Sequence, residues 1–293
     1  MTLLDSKTVG DYVFTIDSDN FITYATAFNG KSIIRALGIR STSPKSSLNV
    51  TIEVTIQSLG KSLSQPWTAQ VGTLDNKPIR FEDLSLDFYS ELLFQQIETV
   101  PAELKVRLLE EGTQQLCEVI WSLDFYSPST WLLTDSTKET LAAFVQPNHP
   151  VLRGVLDEAV SILGKETKIS ALPGYQLPQL VRPMVQSIYQ ALVNRKITYS
   201  NPPASWDLKG QRIRNPQTVL DEKVGTCLDT AVLFASLLEA SGLHPVIAVI
   251  PGHAFVGFWT AEYYAEQADP PLWTELPISD VINLVDSGYI ELT

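Results

Sequence analysis

Two periodicities divide this chain, and neither a single sheet nor a single helical bundle accommodates both. In "VTIEVTIQ" (Val50–Gln57), Ile52, Val54 and Ile56 alternate with Thr51, Glu53 and Thr55. That period of two is the pattern of a half-buried strand. In "CLDTAVLFASLLEAS" (Cys227–Ser241), Leu228, Ala231, Ala235 and Leu238 keep an apolar stripe, and Gly242 follows where a helix needs a left-handed residue. The change of character falls within Ser127–Pro147, which is rich in turn residues. It predicts an all-β domain over residues 1–130, a linker over 131–146 and an α+β domain over 147–293.

The first part carries short runs rich in Val, Ile, Thr, Phe and Tyr, among them "SIIRALGIRS", "WTAQVGTL" and "ELKVRLLEEGTQQLCEVIWSLDFY". Asn-Gly, Ser-Pro and Asp-Asn punctuate them. Short strands at this spacing predict an antiparallel, immunoglobulin-like sandwich with Cys117 in its core. In the second part a helix is expected after Pro150 and another over "LPQLVRPMVQSIYQALVNRKI", with Pro183 in its first turns. "TYSNPPASWDLKGQRIRNPQTVL" reads as an irregular loop, because its prolines and Gly210 break either period. "HPVIAVI" and "HAFVGFW" read as strands joined at Pro251-Gly252, and "YIELT" as a third strand.

Composition narrows the function classes. Of 293 residues, 44% are apolar, so the chain folds rather than staying disordered. A net charge of −12 argues against binding of nucleic acid by this chain, leaving only a local basic group at Lys209, Arg212 and Arg214. Two cysteines are too few for a disulfide framework, and no apolar run approaches the roughly 20 residues that span a membrane. A soluble, cytoplasmic chain is expected. "NGKS" and "LGKS" lack the earlier glycine of a phosphate-binding loop: Ala25 and Thr55 stand there. His149 and His244 have no metal-ligand spacing, so neither metal nor cofactor is expected.

The chemistry concentrates in "VGTCLDTAVLFASLLEASGLHPVIAVIPGHAFVGFW" (Val224–Trp259). With Thr226 or Gly225 as N-cap, Cys227 falls in the first helical turn, where unpaired N–H groups and the helix dipole lower a thiol's pKa. The same N–H groups can receive an oxyanion, and Gly225 leaves room for a substrate to approach. His253, opening the second strand, can serve as base to the thiol and then as acid to a leaving amine. Asp229 is expected to favour the helix start rather than the chemistry. The other reading of the pair is structural, since free cysteine is among the most buried residue types.

Gly225-x-Cys227, the apolar helix ending in Ser241-Gly242, the strand "PVIAVI" and His253-Ala254-Phe255 resemble the transglutaminase-like cysteine hydrolase superfamily. "AAFVQPNHPVL", "LPGYQ" and "NPPASWDLKGQRIRNPQTVL" extend the likeness to the N-terminal region of large bacterial proteins with helicase and nuclease modules downstream. The resemblance implies a papain/transglutaminase-like domain behind a β-sandwich, and a fragment of a longer protein. It implies a Cys227–His253–acid triad, with Glu291 in "YIELT" where the family commonly has Asp, and Asp286 as the alternative acid. It implies a further oxyanion donor from the loop before the cysteine, for which Gln211 and Trp206 are the candidates. The expected activity is thiol-dependent amide hydrolysis of a peptide or protein substrate. Acyl transfer to an amine, or an inactive interaction module, are the alternatives.

Overall fold

The computed structural model describes residues 2–43, 47–110, 114–134, 137–201 and 210–262, and the backbone of 290–292. It is a mixed α and β protein that divides into two units, residues 1–130 and 131–293.

The first unit is built from β1 (Thr2–Val9), β2 (Tyr12–Asp19), β3 (Phe21–Ile22), α1 (Tyr24–Phe28), β4 (Ile34–Ser41), β5 (Ser47–Ser58) and β6 (Lys61–Ser62). β7 (Trp67–Leu74), β8 (Ile79–Leu84), α2 (Ser90–Phe94), β9 (Val100–Glu110) and β10 (Gln114–Phe125) complete it. One sheet runs β1-β2-β4-β8; the other runs β3-β10-β9-β5-β6, with β7 also on β5. The inner faces of both sheets share one apolar cluster. Val50, Ile52, Val54 and Ile56 are all 0% exposed, which fits the alternation read from the sequence. Burying each such side chain contributes roughly 1.5–3 kcal/mol. Cys117 sits beside a β-bulge in this core, and burial pushes its thiol up to about 11. It is therefore neutral at ordinary pH and inert.

β11 (Thr130–Trp131) spans the division. Residues 131–146, expected as a linker, belong to the second unit instead. Trp131, Leu132, Leu141 and Phe144 are buried, and a 3-10 helix covers Lys138–Phe144. The Trp131 indole donates to the Thr137 carbonyl, and Gln146 N–H donates to Ser236 Oγ at 2.9 Å. The turn residues that suggested a linker are there because the segment is irregular, while its large apolar residues tie it down.

Next come α3 (Arg153–Thr167), α4 (Val181–Val193), β12 (Thr198–Tyr199), β13 (Gln211–Arg212), α5 (Pro216–Glu222), β14 (Val224–Gly225), α6 (Cys227–Ala240), β15 (Pro245–Ile250), β16 (His253–Trp259) and β17 (Ile290–Leu292). α5 corrects the reading of residues 198–220 as irregular. Asn215 caps it by accepting from Thr218 N–H at 2.8 Å, and Pro216 opens it. Asn-Pro is a helix start as well as a turn signal.

α6 carries more than a stripe. Leu228, Val232, Leu233, Phe234, Ala235, Leu237 and Leu238 are all buried, so it is apolar on every side. A helix buried all round is a central element. It packs on β15 and β16, on α4 and on α5. It ends in a Schellman motif at Gly242 (φ 77°), with Gly242 N–H on the Glu239 carbonyl and Leu243 N–H on that of Leu238. Among the described residues no helix is long and apolar enough to cross a membrane.

Tyr175 locks the far end of this layer. Its hydroxyl donates to the Trp259 carbonyl at 2.8 Å and accepts from His244 N–H at 3.1 Å. Burial pushes the phenol up to about 12. Tyr175→Phe would strand both backbone groups, so it is expected to cost about 1–3 kcal/mol in urea denaturation at neutral pH. Because the phenol is held neutral, its contribution is present below the unfolded value near 10 and is lost as pH rises to about 12. The variant should therefore lose less stability than the wild type across that window; an equal alkaline loss would place its cause elsewhere.

Candidate active site

The start of α6 is fixed by three side chains. Thr226 is its N-cap (φ −79°, ψ 173°) and accepts from Asp229 N–H, while the Asp229 carboxylate accepts from Thr226 N–H at 2.9 Å. This reciprocal capping box leaves Cys227 as the first helical residue, as the Gly-Thr start implies. Asp229 is 0% exposed and accepts two further bonds, from Arg214 N–H and Arg214 Nη1, both at 2.8 Å. Arg214 also lies 3.7 Å from Glu222. Its charge is thus spent inside the fold, and it is not part of an open basic patch.

Gln211 on β13 meets the same cap. It is buried, its Nε2 lies 3.1 Å from Thr226 Oγ1, and its Oε1 has no partner among the described residues. The amide thus donates to the cap residue and leaves an unpartnered acceptor beside the helix start.

Gly225 serves packing rather than substrate access. A Cβ there would lie 3.2 Å from Thr230 Cγ2 and 3.4 Å from Asp229 Cβ, so the position faces α6 and not an approaching ligand.

The sulfur has one near neighbour that the sequence did not suggest. β12 runs parallel to β14, with Tyr199 opposite Gly225 and Ser200 N–H donating to the Gly225 carbonyl at 2.9 Å. The Tyr199 phenol is held above its ordinary value there, by desolvation first and then by the neighbouring Cys227. Cys227 itself is 4% exposed. Tyr199 had no motif to announce it, since it lies 28 residues upstream within a segment read as loop.

His253 opens β16 after the Pro251-Gly252 turn, with Gly252 at φ 79°. α6 packs on both strands of this hairpin. His253 is exposed and stacks on Phe255, with ring centroids 6.2 Å apart.

β17 pairs antiparallel with β16, placing Glu291 opposite Phe258. That is five residues beyond His253, about 17 Å along the strand. Asp286, Trp206 and Lys209 lie outside the described residues. Among the described residues no group of three His, Cys, Asp or Glu side chains could hold a metal ion.

No family model matches the chain, and no curated protein matches it either. One similar solved structure is a beta-glucuronidase from glycoside hydrolase family 2, at 8% identity and a TM-score of 0.25. The likeness covers 42% of this chain and 11% of that enzyme, and carries no argument about activity.

Proposed function

We propose that the second unit is a transglutaminase-like thiol hydrolase acting on peptide or isopeptide amides, with an immunoglobulin-like sandwich as its scaffold. The observation that carries this reading is the capped start of α6, with Cys227 as first helical residue and the Gln211 amide beside it. Cys227 attacks the carbonyl carbon after its proton passes to His253. The oxyanion is met by N–H groups of the first helical turn and by the Gln211 amide. The amide nitrogen takes the proton from His253 and leaves, and water then releases the acyl group. An amine in place of water gives transglutaminase chemistry at the same groups. Within a longer bacterial protein carrying helicase or nuclease modules, such a unit would process a protein partner.

The burial of Cys227 favours a second reading, an inactive module that binds a peptide or partner chain. The two part on one experiment. A peptide vinyl sulfone library should form a thioether on Cys227, located by tryptic mass spectrometry, and His253→Ala should abolish it. Glu291→Gln should leave adduct formation unchanged, in keeping with the register of β17. No adduct on the folded protein, together with labelling of the unfolded chain, would leave the binding module as the reading.

A further inference from the structure

We propose that the two short helices of the first unit form a docking surface for a protein segment whose apolar anchor is flanked by Arg or Lys. α1 (Tyr24–Phe28) and α2 (Ser90–Phe94) pack on each other. Helices of five residues do not persist by themselves. A capping box fixes α1, with Thr26 N–H donating to Thr23 Oγ1 at 3.0 Å and Thr23 N–H to Thr26 Oγ1 at 3.2 Å. Its inner residues Ala25 and Thr26 are buried, as is Leu93 of α2. What the two helices leave outside is aromatic. The Tyr24 ring stacks on Phe28 with centroids 5.6 Å apart and meets Phe94 edge-on at 5.5 Å. Phe28 is 65% exposed and Phe94 62%, and Ile97, three residues on, is 76% exposed.

Single exposed apolar side chains are ordinary; three rings in contact, two of them largely open to water, mark an interaction surface. Charge selects the occupant. Residues 24–31 and 87–98 carry Asp87, Glu91 and Glu98, all exposed, against the single cation Lys31. Among the described residues none of these three acids forms an ion pair. A second copy of the chain, with its net charge of −12, would set these carboxylates against their own kind. A basic segment meets them with opposite charge, and its cationic groups can also stand over the ring faces. Its apolar anchor then covers Phe28, Phe94 and Ile97.

The test is fluorescence polarisation with the whole chain and two sets of labelled peptides. In one set a Leu, Phe or Trp anchor is flanked by arginines; in the other the same anchors are flanked by glutamates. The arginine set is expected to bind and the glutamate set not to, with affinity falling as salt rises from about 50 mM to about 500 mM. Phe28→Ser combined with Phe94→Ser should weaken binding about tenfold or more at an unchanged urea midpoint, because both side chains lie outside the core. Glu91→Lys combined with Glu98→Lys should weaken it severalfold and flatten its salt dependence, and reads the same surface without touching its rings. Equal behaviour of the two peptide sets, absence of binding included, would overturn the inference, as would an unchanged affinity in either double variant. So would a dimer in sedimentation velocity that the double serine variant abolishes, since the surface would then take a second copy.

Discussion

Asp229→Ala is expected to destabilise the second unit by about 3 kcal/mol and to slow the labelling of Cys227. The carboxylate is fully buried and accepts from Thr226 N–H, Arg214 N–H and Arg214 Nη1. Removing one partner of a buried ion pair costs about 3–5 kcal/mol, because the other charge is left without compensation. Arg214 keeps partial exposure and Glu222 lies 3.7 Å away, which places the loss at the lower end of that range. The same change empties half of the capping box, so the first turn of α6 frays and the Cys227 backbone N–H loses its fixed direction. Asp229→Asn keeps the shape but offers an NH2 group where an acceptor is needed, so it should rescue little. Urea denaturation together with the rate of iodoacetamide labelling reads both effects. A loss below about 1 kcal/mol would mean that the Arg214–Asp229 pair is replaced by water at little cost.

Trp121→Ala is expected to cost about 3–5 kcal/mol in the first unit, the range for removing a buried aromatic side chain. Trp121 is 2% exposed, and it is one of the largest side chains in the cluster shared by the two sheets. Its indole N–H donates to Asp5 Oδ2 at 2.8 Å, and Lys7 Nζ stands 5.4 Å from the ring centroid. Both partners lie on β1, an edge strand of the four-stranded sheet, while Trp121 lies on β10 of the other sheet. Its loss therefore opens a cavity and also leaves the Asp5 carboxylate without its donor. Trp121→Phe keeps most of the apolar area and should cost less than half as much. Equal losses for the two variants would mean that the indole hydrogen bond outweighs the packing.

The sandwich was legible because alternation reports a half-buried strand directly. Ile52, Val54 and Ile56 could be assigned to the core face from their spacing alone, and they are 0% exposed. Cys227 at the start of α6 was legible for a similar reason, since Thr226 is a strong N-cap and Asp229 stands at its capping-box position. Burial on every side of α6 was only half legible. Ala231 and Ala235 were read as part of one stripe, whereas Val232, Leu233, Phe234 and Leu237 outside it are buried as well. The role of residues 131–146 was hidden because irregular backbone says nothing about whether Trp131 and Phe144 find a core. Gln211 could be named by residue type, but its contact with the Thr226 cap could not, because it reaches the helix start from a strand of two residues. Pairings that short leave no periodic trace. The backbone register that sets Glu291 opposite Phe258 is likewise fixed by pairing and not by motif.

The central claim is that Cys227 and His253 act as one unit at the start of α6. The most direct measurement is the rate of iodoacetamide alkylation against pH, for the wild type and for His253→Ala, with the adduct located by mass spectrometry. Cys117 is buried and its thiol is pushed up to about 11, so it does not compete below pH 9. The account requires fast labelling of Cys227 at about pH 6.5 in the wild type, falling roughly tenfold or more in the variant. Superimposable profiles for the two proteins would contradict it and leave Cys227 as a packed core residue.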